Sequence, residues 1–428
     1  MSILKTPDPE NWRAVPETDG PFFTVLLPTM NRPQLLEAAV ETVLWQTCKD
    51  FELIVSDNSS DETSIARNRG TAAKYANAPR VHFIRPPQWM NMPDHWEFAS
   101  RHASGRYVVI LTDRHVMRPS ALQFLQAQIK DLQEKVKVIT WHAGSEFNRS
   151  GIVDTRPFTG AREVLDSKQE ICEYAKCATW RSGPIYDNRL PRMLNSCYRF
   201  DVAHTIREKH GRLFMPISPD YTCAYLLLAY TDRIAYLDRP LFMYHGIQSN
   251  GLRGLMHGIQ EYVSSLGDVD LFAGTPAPLN TITNSFIRDL MMVKDLVGAR
   301  LSDVSLDIVG YFMSNYRELL IMERLGSQVD LGGLYAQWWE GIKTLTPEQQ
   351  KRIEEYVHEL QRQHASFPVL RRLAVRWGLN QLYHSVVAAL RHLRHRLAGK
   401  PVYANVLEAA RQTDHLLTDA VDREQEKV

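Results

Sequence analysis

The stretch Arg106-Tyr-Val-Val-Ile-Leu-Thr-Asp113-Arg114-His115-Val-Met-Arg-Pro119-Ser decides the fold class. Five apolar residues, 107–111, run without a break into an acid, a base and an imidazole, and Pro119 then opens a helix. An apolar run that does not alternate suits a strand buried on both faces of a parallel sheet. Open parallel sheets bind ligands at the carboxyl ends of their strands. Asp113 and His115 stand at such an end and are the expected seat of chemistry.

The same pattern recurs upstream. Residues 22–27 read as a buried strand ending at Pro28-Thr29-Met30-Asn31-Arg32-Pro33. There Asn31 suits a helix cap and Pro33 a first helical turn. The helix that follows places Leu35, Leu36, Ala39, Val40, Val43 and Leu44 on one face. Residues 51–56 form a second strand ending at Asp57, and residues 81–84 a third ending at Arg85. A helix over 93–103, with the aromatic Trp96 in its first turns, leads into the opening stretch. This pace predicts an α/β domain, a mostly parallel sheet flanked by helices. Short strands are also expected at 136–141 and, broken by Asp238-Arg239-Pro240, within 234–245. Residues 144–165 read only as turn-rich. Beyond Gly246 helical periodicity takes over. The expected division is an N-terminal arm, 1–20, a sheet domain, 21–249, and a helical C-terminal domain, 250–428, in which Thr346-Pro347-Glu348-Gln349 makes a capping box.

Composition bounds the function. With 44% apolar and 23% charged residues, the 428-residue chain has an ordinary globular balance. A net charge of +1 gives no field that argues for a nucleic-acid partner. Five cysteines without a CxxC pair argue against structural zinc and a disulfide framework, and fit a reducing cytoplasm. No signal-peptide pattern opens the chain, and no apolar stretch approaches the ~18 residues of a membrane span. Dinucleotide-binding GxGxxG, P-loop and GxSxG motifs are all missing. What remains is a row of polar strand ends.

Three of those ends carry a family resemblance. Leu26-Leu-Pro-Thr-Met-Asn-Arg-Pro33, Glu52-Leu-Ile-Val-Ser-Asp-Asn-Ser-Ser-Asp-Glu-Thr63 and Gly105-Arg-Tyr-Val-Val-Ile-Leu-Thr-Asp-Arg-His115 together resemble the nucleotide-sugar-binding half of family 2 glycosyltransferases, over about residues 21–245. The resemblance implies a GT-A fold and inverting transfer of a sugar from a nucleotide-diphosphate donor, typically a UDP-sugar. It implies that Asp57 accepts from the base, that Thr29, Asn31 and Arg32 surround base and ribose, and that Arg85 meets the diphosphate. A plain turn or cap role competes at Asp57 and Asn31, and a solvated strand end at Arg85. Asp113-Arg114-His115 falls where the family carries Asp-x-Asp, the motif for a divalent cation on the donor phosphates. Histidine in the third position favours Mn²⁺ over Mg²⁺. Arg114 opens a competing account in which its guanidinium neutralises the diphosphate itself.

The family also places its general base at a helix start about one hundred residues further on. Asp220, in Ser218-Pro219-Asp220, lies 107 residues past Asp113 and matches by position, although the family's usual Glu-Asp pair is Pro-Asp here. His245 is a candidate third metal ligand or a satisfied rim histidine. The Gly-rich run 246–254 has the composition of a lid. Residues 369–400 hold six arginines, one lysine and no acid among apolar residues at helical spacing. Peripheral membrane contact at the inner face, packing on its own domain and homo-oligomerisation all fit that pattern. The acceptor expected is a glycan or a lipid-linked sugar. The alternatives are a degenerate family member acting as a scaffold, and a nucleotidyltransferase, which lacks its usual Gly-rich loop here.

Overall fold

The computed structural model describes residues 20–78, 80–177, 189–245, 250–365 and 380–418. The expected arm lies outside them except for Gly20, as do 246–249 of the expected lid and 369–379 of the basic segment. Residues 250–254 of that run open a helix.

The sheet domain alternates β1 (Phe23–Thr29), α1 (Pro33–Leu44), β2 (Phe51–Asp57), α2 (Glu62–Lys74), β3 (Val81–Ile84), α3 (Met92–Ser100) and β4 (Tyr107–Ile110). Then come β5 (His115–Met117), α4 (Ala121–Asp131), β6 (Val138–Trp141), β7 (Ser145–Phe147), β8 (Val153–Thr155), β9 (Arg162–Asp166) and α5 (Ser167–Ala175). The domain closes with β10 (Ser196–Arg199), α6 (Phe200–His210), α7 (Pro219–Ala229), β11 (Arg233–Leu237) and β12 (Phe242–His245). The main sheet has eight strands in the order β3-β2-β1-β4-β10-β6-β11-β9. Strands β3, β2, β1 and β4 are parallel, as are β6 and β11, while β10 and β9 pair antiparallel with their neighbours.

Both faces of this sheet are covered, which explains the unbroken apolar runs. Val108 and Ile110 of β4 face a core built with α3, α5, α6 and α7. Tyr107 and Val109, one residue out of phase, face a second core built with α1 and α4. Gly105 lets β4 start hard against β1: a Cβ there would lie 2.5 Å from the Thr24 nitrogen.

Two details differ from the sequence expectation. The stretch after β4 does not run straight into a helix. Residues 111–114 cross to a second, four-stranded sheet of order β5-β12-β7-β8, so His115 begins a strand of its own. Strands β7, β8 and β9 occupy the turn-rich segment, each three to five residues long and too short for alternation to be read.

The helical region runs through α8 (Asn250–His257), α9 (Gln260–Ser264), α10 (Ile282–Val297), α11 (Ile308–Leu325), α12 (Leu331–Lys343), α13 (Pro347–Ala365), α14 (Asn380–Leu397) and α15 (Val406–Gln412). The capping box forms: Thr346 Oγ1 accepts from the Gln349 N–H at 3.3 Å, and the Gln349 side chain accepts from the Thr346 N–H at 3.1 Å. The region is not separate from the sheet. Helix α10 gives Leu290 and Val293 to a sheet-domain core and Ile287 to the helical core. Residues 403–414 return to the first domain, where the buried Arg118 donates from Nε to the Thr413 carbonyl at 3.1 Å. Among the described residues no helix is long and apolar enough to cross a membrane.

One buried group gives this fold a pH dependence. His95 of α3 meets the Ser56 hydroxyl at 2.9 Å under the end of β2. Burial lowers its pKa from 6.5 to about 4, against the pull of Asp57. The folded state therefore prefers the neutral ring. That preference stabilises fully above the free value and is lost as pH falls from 6.5 toward 4, about 3 kcal/mol at its full extent. Melting temperatures measured across that window should fall for the wild type and fall less steeply for His95→Gln; parallel curves would refute the assignment.

Candidate functional site

The carboxyl ends of β1, β2 and β4 meet at one edge, as the parallel register requires. Thr29 pairs with Asp57, and Leu26 with Ile110, so the chain just past β4 comes level with Thr29. Asp113 sits there, 1% exposed. Its Oδ2 accepts from the Thr29 hydroxyl at 2.9 Å and its Oδ1 from Arg32 Nη1 at 3.1 Å. Each oxygen keeps a further lone pair.

His115 stands opposite on β5. Its Nδ1 meets the Thr112 hydroxyl at 2.7 Å, a contact that orients the ring. Burial, reinforced by the nearby cation of Arg114, pushes its pKa down to about 3. His245, at the end of β12, is held by its backbone N–H donating to the Arg114 carbonyl at 2.8 Å. Its Nε2 is buried and has no hydrogen-bond partner among the described residues. Burial lowers its pKa to about 4. Neutral imidazoles are the form that binds metal.

One carboxylate and two neutral imidazoles fit a divalent cation by donor chemistry, and the orphaned Nε2 of His245 is an acceptor in search of a partner. Among the described residues, however, no group of three or more His, Cys, Asp or Glu side chains converges as a metal site. Asp113, His115 and His245 share a neighbourhood and do not form a closed three-ligand cage.

Asp220 stands in the first turn of α7 as a half-buried residue. Burial raises its pKa, while Arg192 first and Arg114 after it pull it back. The turn before it is fastened from the helical region: buried Asp289 of α10 accepts from the Ile217 N–H at 2.8 Å and the Ser218 N–H at 2.7 Å. Arg114 itself donates to Tyr244 and has its pKa lowered by burial and by Arg32. Arg192, a residue that the sequence reading did not single out, acts on both His115 and Asp220 and lies over the Tyr221 ring at 5.7 Å. The strand-end edge thus carries Arg32 and Arg114 beside Asp113, and Arg192 beside His115 and Asp220.

The cap expected at Asn31 changes in detail. Asn31 does not cap α1; the N-cap is Arg32, without a side-chain bond. With φ of 54°, Asn31 instead clips two loops together, donating from Nδ2 to Ser60 Oγ at 3.0 Å and accepting from the Ser60 N–H at 2.9 Å. Arg32 pairs with Asp113 at 3.1 Å. Arg85 pairs with Asp57 Oδ2 at 3.1 Å and donates to the Ser59 carbonyl at 2.6 Å, at the end of β2. Trp96 is a core residue, edge-on to Phe214 at 5.8 Å.

Residues 24–185 match the profile described as Glycosyl transferase family 2. Over those residues the chain resembles glycosyltransferase family 2. Among curated proteins, the GalNAc(5)-diNAcBac-PP-undecaprenol beta-1,3-glucosyltransferase of Campylobacter jejuni is 32% identical over 114 residues, 26% of this chain and 35% of that protein. The PGL/p-HBAD biosynthesis glycosyltransferase of Mycobacterium bovis is 42% identical over 45 residues, 10% of this chain and 18% of that protein. The chain thus spans about a third or less of the length of the curated relatives it matches. Among solved structures, S. aureus TarS 1–349 in complex with UDP-GlcNAc aligns over 88% of this chain and 92% of that one, at 12% identity and a TM-score of 0.43, too distant to carry a structural argument. The strand-end edge holding Asp57 and Asp113, with Asp220 coupled to it through Arg192 and Arg114, is the candidate active site.

Proposed function

We propose that the chain is an inverting glycosyltransferase that moves a sugar from a nucleoside-diphosphate donor, a UDP-sugar, to a hydroxyl of a glycan or lipid-linked acceptor at the cytoplasmic face of a membrane. The observation that carries the reading is the buried Asp113 carboxylate, bonded to Thr29 and Arg32 at the carboxyl edge of the parallel strands, with Arg192 and Arg114 coupled to His115 and Asp220 beside it. Asp57, with Thr29, Asn31 and Arg85 around it, takes the nucleoside end. Arg114 and Arg192 face the diphosphate, where charge develops as the bond to the sugar breaks. Asp220 accepts the proton of the acceptor hydroxyl as its oxygen attacks the anomeric carbon from the opposite side.

Asp113, with His245 and His115, would hold a divalent cation, Mn²⁺ before Mg²⁺ because imidazole is among the donors. When bound, the cation neutralises the departing diphosphate. The undecaprenol-diphosphate in the name of the Campylobacter relative supports a lipid-linked acceptor. A second reading, a degenerate binding subunit, draws on Arg32 occupying one oxygen of Asp113. Incubation with a panel of nucleotide sugars, with Mn²⁺ or with EDTA, separates the two. Release of nucleoside diphosphate from at least one donor is expected, lower in EDTA; binding without release from any donor would leave the scaffold.

A further inference from the structure

Helix α14 presents an apolar stripe to solvent. Val386, Leu390, Leu393 and Leu397 are 51%, 62%, 54% and 80% exposed. At about 100° per residue they fall within an arc of about 60°. The other face does the anchoring: Ala388, His392 and His395 are half-buried, and the His392 ring donates to the Ser150 carbonyl at 2.9 Å. Arg391 adds an ion pair to Asp154 of β8. The stripe is therefore held outward by a docked helix. Scattered surface leucines need no explanation, but four along one line of a fixed helix do.

The cations choose the occupant. Arg394 lies about 70° to one side of the stripe centre and Arg396 about 90° to the other, both exposed, with Lys400 just beyond the helix end. Residues 385–400 contain no Asp or Glu. A second copy docking stripe to stripe would bring these like charges together, and an acid-free partner face gains nothing from them. A surface that offers apolar depth beneath a layer of negative charge answers both features.

We infer that α14 lies in the interface of an anionic lipid bilayer, with Val386, Leu390, Leu393 and Leu397 among the acyl chains and Arg394, Arg396 and Lys400 at the headgroups. The helix rests on the β7–β8 hairpin, and β7 pairs with β12, which carries His245. One small sheet thus links the lipid-facing helix to the rim of the pocket. The inference is independent of the chemistry assigned to that pocket, because its test uses no donor.

The test is sedimentation of the full chain with vesicles of phosphatidylcholine alone or enriched in phosphatidylglycerol. Wild type should pellet with the anionic vesicles, much less with neutral ones, and less as salt rises. The double variant Leu390→Gln/Leu393→Gln should lose about tenfold or more in vesicle affinity while keeping its melting temperature, and Arg394→Gln/Arg396→Gln should lose the salt-sensitive part of binding. Absence of wild-type binding to anionic vesicles overturns the inference. So does a wild-type dimer in solution that the leucine variant dissociates, since the stripe would then be an interface between copies.

Discussion

Asp113→Asn should lower sugar transfer by about 10²–10³-fold while leaving the protein folded. The substitution keeps the shape and an acceptor oxygen for Thr29 or Arg32, and removes the negative charge that the proposed role asks of that position. Arg32 and Arg114 already act on one another, so loss of the carboxylate also leaves the guanidinium groups less well balanced. Asparagine is the informative replacement. Alanine would strip both hydrogen bonds from a residue only 1% exposed, and unsatisfied buried partners would cost about 1–3 kcal/mol each, which mixes folding with function. The measurement is kcat and KM for the active donor beside a melting curve. Unchanged kcat/KM in a folded Asp113→Asn would remove the strand end from the chemistry.

Asp220→Asn is expected to cost about 10²–10⁴-fold in kcat with little change in donor affinity, the signature of a lost general base. Burial raises the pKa of this carboxyl, which brings a weak base closer to the pH at which it must work. The base acts deprotonated, so the wild-type rate should fall as pH drops through that raised value. The variant should lack the limb. Full activity, or an unchanged acidic limb, would assign the proton to another group. Asp289 makes a useful comparison: it holds the turn before Asp220 through two backbone N–H groups.

The parallel half of the sheet was legible because both of its faces are buried. Continuous runs at β1, β2 and β4 follow from the two cores on either side, and the ends of those strands point out Thr29, Asp57 and Asp113. The small sheet was not legible. Its strands β7 and β8 are three residues each, shorter than any period that marks a strand, and β5 looked like the tail of β4. That crossing is what separates His115 from Asp113 by a change of sheet. Arg192 and Asp289 gave no local signal either. Each is a single charged residue in an irregular or amphipathic stretch, and its meaning arises only when distant segments meet, Arg192 with Asp220 and Asp289 with residues 217 and 218. Asn31 shows the opposite limit: its residue type suited a cap, and the φ of 54° that turns it into a clip between loops is invisible in one dimension.

The most direct test of the site is titration calorimetry of nucleoside diphosphates, UDP first, into the wild type and into Asp57→Ala in the presence of Mn²⁺. Saturable binding at one site is expected, weakened by about tenfold in the variant, the cost of one hydrogen bond to a charged group. Absence of saturable binding by every nucleoside diphosphate, or equal affinity in the two proteins, would contradict a nucleotide pocket at the carboxyl ends of β1, β2 and β4.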